Sequence, residues 1–368
     1  MKIAVTGTRG IPSIQGGVET HCEELFPRIA ASGAEITLFR RVSYVGGSEG
    51  MGSFRGVRLV DLPTPRKKAF EAIIHTARAV ARARRMNADI IHIHAIGPAL
   101  LTPVARMLGM KVVVTHHGFD YDREKWGRAA KFMLRLGERL GARHADALIV
   151  ISDHIRTTIA SRYGRTDTDL IFNGVPEANR DPETDCLDSW GVKSGEYVLA
   201  LGRFVKEKNF HLLIEAFREL APGSVKLVIA GDADMPDEYS ENLKRKARAA
   251  GVVLTGFVKG KPLRQLLTHA RLFCLPSTHE GLPISLLEAM SYDLDVLVSD
   301  IPANRLPQLA KEDFFATGDR SDLVASLRRK LDLPPSRRRY DLSDYDWDVI
   351  ARKTAGVYRR ILGQSIKS

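Results

Sequence analysis

Two carboxylates stand within an otherwise apolar run, STHEGLPISLLEAM (277–290). Glu280 and Glu288 are eight positions apart, and a carboxylate is costly to bury unless a partner satisfies it. Pro283 suits the first turn of a helix, which predicts Glu280 in the preceding loop and Glu288 about a turn and a half inside. Paired carboxylates can hydrolyse glycosides, but glycosidase acids usually come from separate elements. Because each carboxylate accepts hydroxyl hydrogens, a polyhydroxylated ligand is the simpler prediction.

Two cations follow a predicted strand in the loop LGRFVKEKNF (201–210). A diphosphate leaving group gains negative charge as its bond breaks, and Arg203 and Lys208 could stabilise that charge. Ordinary surface charge before a helix would look the same. The loop by itself leaves both interpretations open.

A glycine-rich loop follows the first predicted strand. Gly16 and Gly17 would let backbone N–H groups approach an anion at the positive end of the next helix. Gly7 and Gly10 are three positions apart, so the loop is not the GxGxxG of dinucleotide-binding enzymes. The second strand ends in LFRR (38–41), without the expected acidic residue. Both departures argue against a dehydrogenase.

Two adjacent histidines end another predicted strand, in THHGFD (115–120). Such an imidazole can bind a sugar hydroxyl or transfer a proton near neutral pH. The alternative is a structural histidine that the backbone satisfies. The presence of both His116 and His117, with Asp120 beside them, favours a functional role.

Strands and helices that alternate along the chain must position these loops. Near-continuous apolar runs such as DIIHIH (89–94) predict strands of a parallel sheet covered on both faces. The alternation stops at 173–194, a segment rich in Gly, Pro, Asn and Asp that reads as a linker, and then resumes. We therefore predict an α/β fold of two Rossmann-like, doubly wound domains facing each other across a cleft. The expected domains are residues 1–172 and 173–344, with a helix at about 345–368 packing back onto the first.

The charge of the chain is unevenly distributed. Residues 1–180 hold 27 Lys+Arg against 17 Asp+Glu, and residues 181–368 hold 28 against 27. The first of these segments therefore carries most of the net charge of +11. The basic segment 66–85 could lie on anionic lipid or nucleic acid, or be a solvated face. We find no interleaved aromatic residues of the kind that bind RNA, so nucleic acid is not an expected partner.

Composition and apolar run lengths favour a cytoplasmic protein. The longest apolar runs have the length of a strand, and the first residues read as a strand and a turn rather than a signal peptide. The three cysteines are widely spaced and form no CxxC pair. We therefore expect neither a disulfide framework nor a zinc site.

Together these blocks resemble the retaining, nucleotide-sugar-dependent glycosyltransferases of family 4, which have the GT-B fold. Glu280 and Glu288 match the E-x7-E signature, and GRFVKEK (202–208) and GGVE (16–19) match two further family motifs. The resemblance covers nearly the whole chain, and NGV (173–175) and TGFV (255–258) also fall where the family has them. The segments TGTRGIPSIQGGVETHCEEL and HHGFDYDREKWGR look like a bacterial subgroup that makes exopolysaccharide, capsule or O-antigen.

The resemblance implies a role for each matching residue. Arg203 and Lys208 would stabilise the donor diphosphate. Glu280 would accept hydrogen bonds from the transferred sugar, and Glu288 from the ribose. His117 would lie beside the sugar, a place that His116 could also take. The remaining residues implied to contact the substrate are Gly16, Gly17, Asp120, Asn173, Phe257, Val258, Gly281 and Leu282.

The resemblance also implies no cofactor and no metal, since the family is metal-independent. DAD (232–234) is therefore predicted to be a turn rather than a metal-binding DxD. The implied reaction is retaining transfer of a hexose from a nucleoside diphosphate sugar to a lipid-linked glycan at the inner face of the plasma membrane. A nucleotide-sugar epimerase, a phosphorylase and a nucleic-acid-binding protein are less favoured alternatives. The donor base, the sugar, the acceptor and the oligomeric state stay open.

Overall fold

The computed structural model describes residues 1–64, 68–123 and 126–364, and of residues 68–70 the backbone only. The chain divides into two compact units. The first comprises Met1–Gly174 and Asp344–Ser368, and the second comprises Val175–Ser343. The division thus falls two residues later than the sequence suggests, so that Asn173 and Gly174 belong to the first unit.

A largely parallel sheet forms the centre of the first unit. In the described residues its spatial order is β3-β4-β2-β1-β5-β6-β7-β8, and the pair β3–β4 is antiparallel. The strands are β1 (Lys2–Thr6), β2 (Glu35–Arg41), β3 (Ser53–Phe54), β4 (Val57–Leu62), β5 (Ile90–His94), β6 (Lys111–His116), β7 (Ala147–Val150) and β8 (Thr168–Leu170). The helices that connect them are α1 (Gly17–Ala31), α2 (Lys68–Arg85), α3 (Thr102–Met107), α4 (Arg128–His144) and α5 (Asp153–Tyr163).

An all-parallel sheet forms the centre of the second unit. Its order in the described residues is β11-β10-β9-β12-β13-β14. The strands are β9 (Tyr197–Leu201), β10 (Lys226–Ala230), β11 (Val253–Gly256), β12 (Leu272–Leu275), β13 (Val296–Ser299) and β14 (Phe314–Phe315). The helices are α6 (Asp185–Ser189), α7 (Phe210–Leu220), α8 (Glu238–Ala249), α9 (Lys261–His269), α10 (Ile284–Ser291) and α11 (Arg320–Asp332). The predicted α/β class with two Rossmann-like units is confirmed.

The last helix, α12 (Trp347–Ile361), belongs to the first unit. Trp347, Ile350 and Tyr358 are buried in the same core as α1 and β1. The Tyr358 hydroxyl is hydrogen-bonded to His92 Nδ1 at 2.6 Å, which ties α12 to β5. The 3.6-residue spacing of its apolar side chains explains why α12 buries one face.

The segment 173–194, predicted to be a linker, contains the short helix α6. The segment is anchored to α9: Cys186 N donates to Gln265 Oε1 at 3.0 Å, and Asp181 N donates to Thr268 Oγ1 at 3.0 Å. The sequence pattern also missed α5. That helix is mostly polar, but a side-chain cap at Ser152 and a left-handed Gly164 define its ends.

No helix in the described part of the chain is both long and apolar enough to cross a membrane.

Candidate functional site

Two neighbouring strands of the second unit bring Lys208 and Glu280 together. Since β9 and β12 are adjacent and parallel, the loops that follow them leave the sheet at the same edge. Thr278 N donates to the carbonyl of Glu207 at 2.9 Å and joins the two loops. Lys208 Nζ donates to Glu280 Oε1 at 2.7 Å. A cation and a carboxylate that are 72 positions apart in sequence thus form one ion pair.

Gly202 makes room for the Lys208 side chain. Its φ of 156° is one that residues with a side chain rarely adopt, and a Cβ there would lie 3.0 Å from Lys208 Cε. The lysine stem therefore passes directly over the backbone at the end of β9. This close approach gives a physical reason for the glycine of the Gly-Arg motif.

The environment keeps Glu280 ionised. Burial is the largest influence and would raise the pKa of its carboxyl, but the charge of Lys208, the hydrogen bond from it, and smaller contributions from Ser277 and His279 together hold the pKa below its usual range. A glutamate that stays charged near neutral pH is a strong acceptor for hydroxyl groups.

Arg203 pairs with the segment DAD. Its Nη1 donates to Asp234 Oδ2 at 2.7 Å, and Lys244 Nζ lies 2.8 Å from Asp232 Oδ1. The segment lies in the loop between β10 and α8, as the predicted turn requires. Both carboxylates of the DxD-like sequence are thus neutralised by side-chain cations.

The helix of the opening segment is as predicted. Pro283 precedes α10, so Glu280 lies in the loop and Glu288 in the second turn of the helix. Leu286 and Leu287 are fully buried, whereas Glu288 is partly exposed. The loop also holds Gly281, partly exposed, and Leu282, buried. The apolar residues of this segment hold α10 on the sheet, and both glutamates stay partly exposed.

Phe257 and Val258 follow β11 at the same edge of the sheet. Phe257 is exposed, and the Lys259 ammonium lies 5.7 Å from its ring centroid. β10 separates β11 from β9, so these residues are two strands away from the loop of Lys208. The sequence-predicted residues of the second unit therefore all follow strands of one sheet.

In the first unit a glutamate clamps the glycine-rich loop. Glu19, on the first turn of α1, accepts hydrogen bonds from Arg9 N at 3.0 Å and from Thr8 Oγ1 at 3.3 Å. Gly16 has a φ of 147°, and a Cβ there would lie 2.1 Å from Glu19 Oε2. Gly17 borders open space and begins α1. Of the two predicted anion-facing glycines, Gly16 is thus required by the clamp itself.

His116 has no ring nitrogen left for a substrate. Its Nδ1 accepts from Gly118 N at 3.2 Å, so the proton is on Nε2, which donates to Glu138 Oε1 at 2.8 Å. The residue is buried. The expectation that His116 contacts the substrate is therefore corrected: it connects β6 to α4.

Two other predicted contact residues are engaged within the first unit. Asn173 is buried, and its Oδ1 is hydrogen-bonded to His21 Nδ1 at 3.0 Å. Asp120 is partly exposed and pairs with Arg123 at 3.1 Å. Asn173 is thus placed to orient the His21 ring.

Three histidines that lie far apart in sequence form a cluster around His117. His94 Nδ1 and His117 Nε2 are 2.9 Å apart, and the ring centroids of His21 and His117 are 4.9 Å apart. Burial lowers the pKa of His94 and His117 well below the usual value, and that of His21 to about 4. All three are therefore neutral at pH 7. The sequence analysis did not identify His21 and His94. The signal for His94 was its place at the end of the strand next to β6.

The hydrogen bond between His94 and His117 fixes where their protons lie. One of the two facing nitrogens must carry a hydrogen. His94 Nε2 is buried without a hydrogen-bond partner among the described residues. An unpaired buried N–H is rarer and costlier than an unpaired acceptor. His94 therefore carries its proton on Nδ1 and donates it to His117 Nε2, which leaves the His117 proton on Nδ1.

The same cluster is the one group in the described residues with the composition of a metal site. One ligand atom from each of His21, His94 and His117 lies within 4.8 Å of the others. Neutral imidazoles are good zinc ligands. However, the spacing of 2.9 Å between His94 and His117 is that of a hydrogen bond, and His21 Nδ1 is already bonded to Asn173. Hydrogen bonding accounts for the cluster without a metal.

We predict that His94→Asn preserves the His117 tautomer and that His94→Leu does not. The amide N–H of asparagine can replace His94 Nδ1–H, whereas leucine offers no donor. Long-range ¹H–¹⁵N spectra of histidine-labelled protein should show a protonated His117 Nδ1 in the wild type and the asparagine variant. The leucine variant should show a mixture of tautomers. A wild-type His117 protonated on Nε2 would contradict the assignment, and His75→Asn, at a buried histidine outside the cluster, serves as the control.

Comparisons with known proteins agree with this arrangement. The family model "Glycosyltransferase Family 4" matches residues 15–179, and "Glycosyl transferases group 1" matches residues 189–345. The GDP-mannose:cellobiosyl-diphosphopolyprenol alpha-mannosyltransferase of Komagataeibacter xylinus is 30% identical over 307 residues, which are 76% of this chain and 73% of that protein. The alpha-maltose-1-phosphate synthase of Mycolicibacterium smegmatis is 25% identical over 98% of this chain and 100% of its own length.

Solved structures share the fold. Sucrose-phosphate synthase from Thermosynechococcus elongatus has a TM-score of 0.84 at 19% identity and covers 99% of this chain and 100% of its own. Anabaena HepE, crystallised in complex with UDP-glucose, has a TM-score of 0.72 at 18% identity and covers 99% of this chain and 96% of its own. The expected family and fold are thereby confirmed. The identity with the mannosyltransferase over most of both chains, together with the two family models, shows that this chain is a glycosyltransferase of family 4 with the GT-B fold.

Proposed function

We propose that the protein transfers a hexose from a nucleoside diphosphate sugar to a hydroxyl of a lipid-linked glycan, with retention of anomeric configuration, in bacterial surface-polysaccharide synthesis. The observation that carries this proposal is the Lys208–Glu280 pair at the end of β9 and β12, with Arg203 on the same loop. The relative from Komagataeibacter is named for a diphosphopolyprenol acceptor, and HepE is solved with UDP-glucose. Both names support a nucleotide-sugar donor, and the first supports a lipid-linked acceptor.

In this proposal the second unit binds the donor. Lys208 and Arg203 contact the diphosphate, and Glu288 accepts from the ribose hydroxyls. The backbone of Phe257 and Val258 brackets the base, while Gly281 and Leu282 present backbone N–H groups before α10. Since the first N–H groups of a helix have no partner within the helix, this end favours an anion.

Glu280 links the sugar to the leaving group. Its carboxylate accepts a hydrogen bond from the Lys208 ammonium in this structure, and it has further lone pairs that can accept from sugar hydroxyls. One side chain can thus hold the transferred sugar and also orient the cation that stabilises the diphosphate. We propose further that His117, through Nδ1–H, and the backbone of Gly16 and Gly17 contact the substrate.

The proposed reaction needs no protein nucleophile. The acceptor oxygen forms a bond to the anomeric carbon as the bond to the diphosphate oxygen breaks. The acceptor proton passes to that departing oxygen on the same face of the sugar. Lys208 and Arg203 offset the charge that develops on the diphosphate. The proposal includes no metal, because two cations supply this charge, and it places the reaction in the cytoplasm at the inner face of the membrane.

A nucleotide panel tests the donor site. We expect one of UDP, GDP and dTDP to raise the Tm of the wild type, since a ligand at 100 times its Kd adds about 2.7 kcal/mol. Glu288→Gln should weaken binding of that nucleotide about tenfold or more, because the ribose hydroxyls then donate to a neutral amide oxygen instead of a carboxylate. Glu241→Gln, at an exposed position of α8, is the matched control. No shift with any nucleotide would contradict the proposal.

The anomeric configuration of the product is then determined with a sugar donor built on the nucleotide that raises the Tm. NMR of the product should show the same anomeric configuration as the donor. Turnover should be unchanged in EDTA. An inverted product would overturn the retaining mechanism, and loss of activity in EDTA with recovery on adding a divalent ion would overturn the metal-free one.

A further inference from the structure

The carboxylate of Glu138, on α4, is buried and accepts hydrogen bonds from β6, from the loop after β6 and from α5. His116 Nε2 donates to its Oε1 at 2.8 Å, and the Tyr163 hydroxyl donates to its Oε2 at 2.6 Å. The Tyr121 hydroxyl lies 3.1 Å from Oε1 and 3.2 Å from Oε2. One side chain thus connects α4 with the strand, the loop and the second helix.

These hydrogen bonds keep the Glu138 carboxylate charged inside the protein. Burial would raise the pKa of its carboxyl, but the hydrogen bonds that it accepts, first of all from His116, outweigh burial and hold the pKa below its usual range. Arg162 Nη1 lies 3.6 Å from Oε2 and also donates to the Tyr121 hydroxyl. An ionised acceptor forms stronger hydrogen bonds than a neutral one, so Glu138 is a firm anchor for its donors.

Two of these donors bracket the residues His117–Asp120, which we call the His117 segment. His116 precedes the segment and Tyr121 follows it, so a single carboxylate holds both of its ends. Fixing both ends of a short loop to one point leaves it few conformations. Gly118 N donates to Nδ1 of the same His116 ring at 3.2 Å, which restrains the backbone inside the segment as well.

Burial separates the side chains of this region into two groups. His116, Phe119 and Tyr121 are buried, whereas His117 and Asp120 are partly exposed. The Phe119 ring packs edge-on against the His116 ring, with the centroids 5.1 Å apart. The buried residues therefore anchor the segment to the body of the unit. The two partly exposed residues are ones that the family resemblance assigns to substrate contact.

We propose that Glu138 is a positioning residue for the transfer reaction: through His116 and Tyr121 it holds the His117 segment where His117 Nδ1–H meets the transferred sugar. The inference rests on the proposed function, in which His117 contacts the substrate. His94 sets the proton of His117, and Glu138 sets the position of the backbone that carries it. Such positioning matters because a displacement of about 1 Å can cost a large factor in rate.

Two tyrosine variants of the full chain provide a matched comparison. Tyr121→Phe and Tyr163→Phe each remove a hydroxyl from the same carboxylate, but Tyr121 adjoins the His117 segment and Tyr163 ends α5. Both should lower the Tm by similar amounts. Tyr121→Phe should lower kcat about tenfold, because His117 is no longer held in place. Its KM for the sugar donor should not change, because the second unit binds the donor.

Kinetics with the sugar donor of the nucleotide that the thermal-shift panel selects, followed as release of the nucleoside diphosphate, measures these effects. Tyr163→Phe should keep kcat near the wild-type value, and an equal loss in both variants would overturn the proposal. Glu138→Gln should lower kcat at least as far as Tyr121→Phe, since an amide nitrogen cannot accept a hydrogen bond. An unchanged kcat in Glu138→Gln would contradict the positioning role.

A double-mutant cycle shows whether the effect of Tyr121→Phe passes through His117. If it does, Tyr121→Phe should lower kcat in the wild type and hardly change it further in His117→Ala, because effects that share one partner are not additive. A general loosening of the unit would instead lower kcat by the same factor in both backgrounds. That result would show that the network is merely structural.

Amide hydrogen exchange measures the anchoring of the segment without catalysis. In Tyr121→Phe the amides of residues 118–120 should exchange about tenfold faster than in the wild type, since a hydrogen bond is lost. In Tyr163→Phe their exchange should not change. A protein that binds a nucleotide, but whose Tyr121→Phe variant has wild-type exchange and kcat, keeps the proposed function and loses this inference. A protein whose segment loosens as expected but that binds no nucleotide loses the proposed function, while the anchoring by Glu138 stands.

Discussion

Lys208→Met is expected to lower kcat by about 100-fold or more, by analogy with the loss of a preorganised charge-stabilising donor. The ammonium donates to Glu280 at 2.7 Å over Gly202, so its position is fixed before any charge develops on the diphosphate. Removing it also leaves the Glu280 carboxylate without its cation, and burial should then raise the pKa of that carboxyl. Steady-state kinetics with the sugar donor of the nucleotide that the thermal-shift panel selects measures the effect.

Two further variants separate catalysis from folding. Lys206→Met alters an exposed lysine in the same turn and should leave kcat near the wild-type value. Lys208→Met with Glu280→Gln removes the uncompensated charge, so it should regain the Tm that Lys208→Met loses without regaining turnover. Near-normal turnover in Lys208→Met would refute the role of this lysine.

The first unit is expected to lose stability steeply below about pH 6.5, because it buries several neutral histidines. Burial lowers the pKa of His21 to about 4 and that of His92 to about 3, and burial together with the Arg41 charge lowers that of His75 to about 3. Between the folded and unfolded pKa values, the histidines of the unfolded chain therefore bind protons that the same histidines of the folded unit do not bind. Stability is complete above the unfolded pKa of about 6.5 and falls until the folded pKa is reached.

The size of this effect follows from the width of that window. At about pH 5 each of these three histidines should lower the free energy of unfolding by about 2 kcal/mol, or by about 6 kcal/mol together. That sum is a large part of the stability of a typical domain. His94 and His117, whose pKa burial also lowers, should add to the loss. Urea unfolding at about pH 7.5 and about pH 5 measures the difference in the free energy of unfolding.

His75→Leu provides the matched variant. It removes one of the buried titrating groups at a position outside the cluster around His117. The difference in the free energy of unfolding between the two pH values should shrink by about 2 kcal/mol. An unchanged difference would show that His75 is protonated as easily in the folded unit as in the unfolded chain.

Much of the site in the second unit could be predicted because its signals are local. The apolar pattern of 271–277 indicates a strand, and Pro283 indicates where the next helix begins. Glu280 and Glu288 are accordingly found in the loop and in the second turn of α10. Repeated strand–helix alternation likewise predicted two Rossmann-like sheets, since parallel strands buried on both faces read as continuous apolar runs.

Hydrogen-bond partners could not be predicted in this way. His116 and His117 are adjacent in sequence and look equivalent there. The side chains of successive strand residues point to opposite faces, so His116 meets Glu138 from α4 while His117 meets His94 from β5. Asn173 fits a family motif, yet its side chain binds His21 across 152 positions.

The sequence by itself determined the type and approximate extent of most elements, the family, and the residues with charge suited to a diphosphate. Apolar periodicity and turn residues depend on one element alone, so they indicate the type and ends of that element without knowledge of its neighbours. Only the tertiary structure decided that Lys208 holds Glu280, that Glu19 requires Gly16, and that His94 sets the proton of His117. The order of strands in a parallel sheet selects those neighbours, and that order depends on packing across the whole unit rather than on any one segment.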